Sequence, residues 1–207
     1  MMKKFQNILI VSAILMTFNS SSAWAALTNG SFELGNDPGS FKTLNPGATD
    51  IFGWTITGQI DYIGSYWQAS DGNRSLDLSG LSAGSIQQDI DTIIGMTYIV
   101  DFDMAGNPDG IPSLKQLVLE AVGVDSHAFD FDVTGKTKSN MGWENKQWSF
   151  VANASTTTLK FTSLVGDTGW GPALDNINVT AIPAPGAFVL VGLGTAVVGW
   201  LRKLRTL

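Results

Sequence analysis

The chain has 207 residues, with 12 Lys and Arg against 18 Asp and Glu, one His and no Cys. All 18 acidic residues but only 7 basic ones fall in 26–182, a net charge of −11 that excludes a nucleic-acid-reading surface, which needs a basic footprint. Without Cys there is no disulfide framework, so a packed core or a bound metal must hold the fold.

In chain order, Lys3 and Lys4 precede the apolar run ILIVSAILMTF and a small-residue stretch in which Ala23 and Ala25 flank Trp24. This is the pattern of a secretory signal peptide over 1–25, cleaved after Ala25. Residues 26–182 then form one domain, long enough to bury a core. It is rich in Gly, Thr, Asp and Asn and has no run with a 3.6-residue period, which points to strands and turns.

After LTNGSFELG (27–35) and a loop with Gly and Pro through Gly47, strand-like runs follow at short spacing. They are TDIFGWTI (49–56), IDYIGSYW (60–67), RSLDLSG (74–80), SIQQDID (85–91) and MTYIVDFDMAG (96–106). LKQLVLEAVGV (114–124), HAFDFDV (127–133), KQWSFVA (146–152), TTLKFTSL (157–164) and PALDNINVTAI (172–182) complete the series. Alternation is clearest where Tyr98, Val100, Phe102 and Met104 interleave with Thr97, Ile99, Asp101 and Asp103. Short strands separated by turn signals predict an all-β fold, a β-sandwich of jelly-roll type.

The last segment, 183–207, holds Pro183, Ala184, Pro185 and Gly186, then 15 uncharged residues over 187–201, then Arg202, Lys203 and Arg205. As a helix the uncharged run reaches about 22 Å, a short membrane span with a basic stop that stays cytoplasmic. The two prolines place an extended, protease-accessible hinge before it. This order resembles the PEP-CTERM sorting signal of bacteria that make extracellular polysaccharide, in its Pro-Ala-Pro-Gly variant. The resemblance implies an exosortase-like membrane transpeptidase as a partner and a destination at the cell envelope, cell surface or extracellular matrix. The alternative is a plain C-terminal anchor that is never cut.

Two groups of residues are candidates for a site. Asn29 and Glu33 near one end, with Asp175 and Asn176 near the other, offer oxygen ligands with which a calcium ion could pin adjacent terminal strands. Carboxylates merely hydrogen-bonded at strand ends would give the same pattern. Among the aromatic residues, Trp54 and Trp148 fit strand interiors, whereas Tyr66, Trp67, Trp143 and Trp170 stand beside Gly, Asn, Ser or Asp in loops. Rings exposed there would offer flat platforms to sugar faces, and the other reading has them capping the open ends of the sandwich.

NGSFELG, PGATDIFGW, DGNRSLDLSG, GSIQQDI, GMTYIVDF and GPALDNINV resemble, in that order, the choice-of-anchor C domain, related to a plant cell-wall family of unknown function. The chain is also similar to galactose-binding-like jelly rolls among carbohydrate-binding modules. That likeness implies a structural Ca2+ held by the Glu33 and Asp175 side chains, with Asn29 and Ser31 as carbonyl donors.

Catalytic signals are weak. Gly80-Leu81-Ser82-Ala83-Gly84 fits a nucleophile elbow, but a strand rather than a helix follows it, and the single histidine, His127, has no local partner. Asp89 with Asp91 and Asp130 with Asp132 read as solvated strand faces. The expectation is a secreted, noncatalytic protein that binds extracellular polysaccharide or serves as a structural or adhesive envelope component.

Overall fold

A computed structural model describes residues 27–166 and 168–182. The signal peptide expected over 1–25, the transmembrane helix expected within 187–201 and the sorting residues Pro183, Ala184, Pro185, Gly186, Arg202, Lys203 and Arg205 lie outside the described residues.

The described chain consists of eleven strands and their connections: β1 (Phe41–Leu44), β2 (Thr55–Ile56), β3 (Ile60–Ile63), β4 (Ser75–Asp77), β5 (Ser85–Asp91), β6 (Thr97–Gly106), β7 (Leu114–Ala121), β8 (Asp125–Asp132), β9 (Glu144–Val151), β10 (Thr156–Ser163) and β11 (Pro172–Ile182). They form a six-stranded sheet in the order β1-β3-β4-β11-β6-β9 and a five-stranded sheet in the order β2-β5-β10-β7-β8. Every pairing is antiparallel, so the fold is the all-β jelly-roll sandwich that the sequence predicts.

The core lies between the sheets. Tyr98, Val100, Phe102 and Met104 of β6 are all 0% exposed, while the residues between them reach the outer face, as the period of two requires. Phe102 meets Phe161 of β10 and Phe129 of β8 edge-on, with ring centroids 5.3 and 5.0 Å apart, which ties one sheet to the other. Truncating Phe102 or Phe161 to Ala would cost about 3–5 kcal/mol, the usual range for a buried Phe.

β11 joins the two halves of the six-stranded sheet, pairing with β4 over Ala173 and Leu174 and with β6 along almost its whole length. Its register slips between Asp175 and Asn178, where Asn176 takes a left-handed φ of 49° that Asn tolerates better than most residues. The bulge turns the Ile177 N–H away from β6, and it donates to the Gly30 carbonyl at 3.0 Å. A Cβ on Gly30 would sit 1.9 Å from the Ile177 oxygen, so only glycine lets the N-terminal segment lie against the last strand.

Three expectations change. TDIFGWTI is not one strand: Gly53, at φ 83°, turns the chain and leaves Thr55–Ile56 as the paired part. IDYIGSYW stops at Ile63, because Gly64 passes close to the Gly39 carbonyl, where a Cβ would come within 2.2 Å. Phe41–Leu44, within the stretch read as loop, is a strand paired with β3.

Candidate functional site

At the junction of N-terminal segment and last strand, loop 70–74 is held by two carboxylates. Glu33 Oε1 accepts the backbone N–H groups of Asn73 and Arg74 at 2.8 and 2.7 Å. Asp175 Oδ2 accepts those of Ser70 and Asp71 at 2.8 and 2.9 Å, and its Oδ1 accepts Asn176 N–H at 2.7 Å. Gly72 runs so close to Glu33 that a Cβ would come within 2.5 Å of its oxygen. Asp175 is 0% exposed, and burial pushes its pKa up to about 7 against those three backbone donors. The ion pairs among the described residues, Lys42–Asp50, Lys138–Asp109 and Lys146–Glu144, give neither carboxylate a cation.

This donor set bears on the expected calcium. Glu33 and Asp175 grip one loop through backbone N–H groups, as carboxylates merely hydrogen-bonded would, and among the described residues no group of three or more His, Asp or Glu stands together as a metal site. Asn29 does not fit as a carbonyl donor, because its C=O already accepts Phe32 N–H at 3.2 Å and Trp54 Nε1–H at 2.9 Å, using both lone pairs. Its side chain is a brace, exchanging hydrogen bonds with the backbone of Leu34 and donating to the Phe52 carbonyl. Ser31, half-buried, stands in the same turn.

A cleft of about 290 Å³ opens elsewhere, over the end of the six-stranded sheet formed by β1, β3 and the start of β11. Phe41 and Thr43 of β1 face Ile63 and Asp61 of β3, their register partners. Tyr66, Gly80, Leu81, Asn107, Gly169 and Trp170 complete the lining. Three apolar side chains on the rim remain well exposed: Phe41 at 46%, Leu81 at 74% and Trp170 at 41%. Tyr66 supports Phe41 with ring centroids 5.1 Å apart, while Lys138 Nζ covers its ring 3.8 Å from the centroid and its hydroxyl donates to Asp109 at 2.5 Å.

Two buried titratable side chains hold the loops of this cleft. Asp77 of β4 is 0% exposed and accepts Ser79 N–H at 2.9 Å, Gly171 N–H at 3.0 Å and Asn107 Nδ2 at 2.9 Å. It thereby gathers the turn after β4, the chain leaving β6 and the chain entering β11. Burial pushes its pKa up to about 8, against hydrogen bonds from Asn107, Ser79 and Gly171, and the neighbouring Asp61 adds to the rise. Lys115 of β7 occupies an inward position in line with Leu117 and Leu119, and its Nζ donates to the carbonyls of Gly110 at 2.9 Å and Trp170 at 2.7 Å. Burial lowers its pKa and Asp77 opposes that shift.

Of the four aromatic residues expected to form a platform, Tyr66 and Trp170 come together in this cleft. Trp67 does not join them: it is 5% exposed, belongs to the hydrophobic core, and donates its indole N–H to Ser75 Oγ at 2.8 Å. Trp143 is half-buried against the core with its indole N–H on the Gln68 carbonyl at 2.9 Å. Both braces follow from the need of a buried Trp to pair its N–H. Trp148, expected in the core, is half-buried on edge strand β9 and stacks on Phe150, centroids 5.6 Å apart. His127 is exposed on edge strand β8, and Asp89, Asp91, Asp130 and Asp132 face solvent as the alternation predicts. Phe41, Thr43, Asp61, Asp77 and Lys115 escape the sequence reading. A signal for one of them exists: Asp61 interrupts the otherwise apolar strand IDYI.

Comparison with known proteins gives a family and a set of distant likenesses. The family described as "Protein of unknown function (DUF642)" matches residues 25–180. A halomucin of Haloquadratum walsbyi is 32% identical over 164 residues, 76% of this chain, and the chain spans about 2% of the length of that relative. Among solved structures, TmCBM61 in complex with β-1,4-galactotriose is 14% identical with a TM-score of 0.44, covering 74% of this chain and 95% of its own. A family 16 carbohydrate-binding module is 15% identical with a TM-score of 0.45, covering 74% and 98%. A family 35 module from Paenibacillus barcinonensis is 21% identical with a TM-score of 0.43, covering 68% and 99%.

Proposed function

Because the chain belongs to the DUF642 family of proteins of unknown function, its role must come from its own site, and we propose that it is a noncatalytic carbohydrate-binding protein of the bacterial cell surface or extracellular matrix. The observation that carries this is the cleft in which exposed Phe41 and Trp170 rings stand over the Asp61 carboxylate. Sugar faces present apolar C–H patches to aromatic rings while their hydroxyls need hydrogen-bond partners, and such a cleft meets both needs. The Trp170 backbone is fixed beforehand by Lys115 on its carbonyl and by Thr168 Oγ1, which accepts its main-chain N–H at 2.9 Å, and its indole lies against Gly110, so little order is lost on binding.

The noncatalytic part rests on Asp61 and Asp77. They lie directly opposite each other on β3 and β4, and Asp77 is fully enclosed, so the pair does not flank a glycosidic bond from two sides. A glycan array probed with the native protein and with Trp170→Ala tests the reading. Retention of a defined glycan that Trp170→Ala weakens by about 2 kcal/mol, roughly thirtyfold, is the expected result. Silence across the array, together with matrix defects on deletion, would favour the structural or adhesive role.

Two further parts belong to the proposal. Glu33 and Asp175, with Ser31 nearby, are the side chains on which a structural Ca2+ would rest, beside the backbone N–H groups of loop 70–74 that they already accept. A chelator should then lower the melting temperature, and an unchanged melt counts against the ion. Export through the inner membrane by the 1–25 leader and sorting of the 183–207 segment by an exosortase-like transpeptidase complete the pathway. An intact Leu207 on the exported protein, by mass spectrometry, would remove the processing step.

A further inference from the structure

Asp61 forms part of the cleft wall with only 8% of its surface exposed. Its Oδ1 accepts the Thr43 hydroxyl at 2.5 Å, and among the described residues its Oδ2 has no hydrogen-bond partner. That oxygen is not sealed away, since no buried side-chain polar atom of the described residues lacks a partner. Burial raises the Asp61 pKa, with Thr43 opposing. Asp77 stands across from it on β4 and, holding its proton up to about pH 8, leaves Asp61 as the acidic group of the cleft at neutral pH.

Among the described residues no Lys or Arg lines this cleft. The lysines nearest its rim are engaged elsewhere: Lys115 with the Gly110 and Trp170 carbonyls, and Lys138 with Asp109 at 2.7 Å. The Asn107 amide is also engaged, donating to Asp77 and accepting Asp109 N–H at 3.0 Å. A ligand therefore meets an acidic wall with one open carboxylate oxygen, between two apolar rings.

We propose that the cleft selects amine-bearing sugars: a hexosamine residue with a free ammonium group ion-pairs with Asp61 Oδ2 while its ring lies against Trp170 and Phe41. This rests on the carbohydrate-binding reading above and names the ligand class for that site. A charge-assisted hydrogen bond in a desolvated cleft is stronger than one from a neutral hydroxyl, so the ammonium gains most where Asp61 has lost its water. Uronates and sulfated sugars bring a like charge against Asp61, while Lys115 and Lys138 are already paired with other groups, and are rejected. The cleft is small for a ligand pocket, which suits a single sugar residue or a chain end.

Calorimetric titration of the intact protein near neutral pH, where Asp61 can ionise and the glucosamine amine is still largely charged, with oligomers of glucosamine, N-acetylglucosamine and galacturonic acid, tests this. The glucosamine oligomer should bind at least tenfold more tightly than its N-acetylated counterpart, galacturonate should not bind, and added salt should narrow the gap. Asp61→Asn should abolish the difference between the first two, and if that variant fails to fold, the acetylation and salt comparisons on the native protein still decide. Equal or tighter binding of the N-acetylated oligomer, or binding of galacturonate, overturns the proposal. Trp170-dependent binding of some other neutral glycan would leave the carbohydrate reading standing and the amine selection refuted, whereas no binding of any glycan would remove both.

Discussion

Asp77 shows how one residue can organise a site it does not touch. Its carboxylate is enclosed, yet three chain segments around the cleft end on it. The same burial sets a pH dependence. An unfolded Asp loses its proton near pH 3.9, whereas Asp77 in the fold holds it until about 8. Between those values the native state binds more protons than the unfolded state, so stability is greatest on the acid side and falls as pH rises towards 8. Asp61 on β3 shifts in the same direction, and Asp77 opposes the fall in the Lys115 pKa. The melting temperature should therefore be higher at pH 5 than at pH 8, by a few degrees for each kcal/mol, and Asp77→Asn should flatten that slope. A melting temperature that climbs from pH 5 to pH 8 would contradict the assignment. Sequence alone shows Asp77 as a carboxylate inside RSLDLSG, but its partners Gly171 and Asn107 are 94 and 30 residues away, and no local pattern announces them.

At the scale of elements, the long strands were legible and the short ones were not. β5 and β11 match their predicted runs to the residue; alternation carries the register of β5, whereas β11 is legible by its length despite the bulge at Asn176. β1 has only four residues, two of them exposed, and exists because β3 offers it an edge to pair with. The cleft depends on that missed strand, since Phe41 and Thr43 come from it. Trp170, by contrast, was visible in the sequence, but the reason it stays in place was not. Gly110 lies against the flat of its indole, where a Cβ would sit 2.1 Å from Cδ2. Gly110→Ala should displace the ring at a cost of about 1–3 kcal/mol, as other overpacking substitutions do. Glycan affinity should fall almost as far as in Trp170→Ala although Gly110 does not line the cleft, and Trp fluorescence should report a more exposed indole. Unchanged affinity in Gly110→Ala would mean that the ring position does not matter. Gly30 offers a matching test at the other junction: Gly30→Ala meets the Ile177 carbonyl at 1.9 Å and should lower stability without altering the cleft.

For the molecule as a whole, the direction of β11 sets how the site faces the outside. The strand enters beside the cleft, with Trp170 just before Pro172, and runs to Ile182, which pairs with Thr97 at the start of β6. Asn107, on the cleft wall, follows the opposite end of β6. The cleft and the exit towards residues 183–207 therefore lie at opposite ends of two strands ten and eleven residues long, which puts about 30 Å between them. A protein held by its C-terminal segment would present the cleft away from the attachment. Affinity measured on a surface that captures the chain through its C-terminus should equal that in free solution. The chain has no cysteine, so Leu81→Cys gives a unique thiol on the cleft rim, and capture through it should abolish binding. Loss of binding with the C-terminal capture, or full binding with the Leu81→Cys capture, would place the functional surface somewhere other than this cleft.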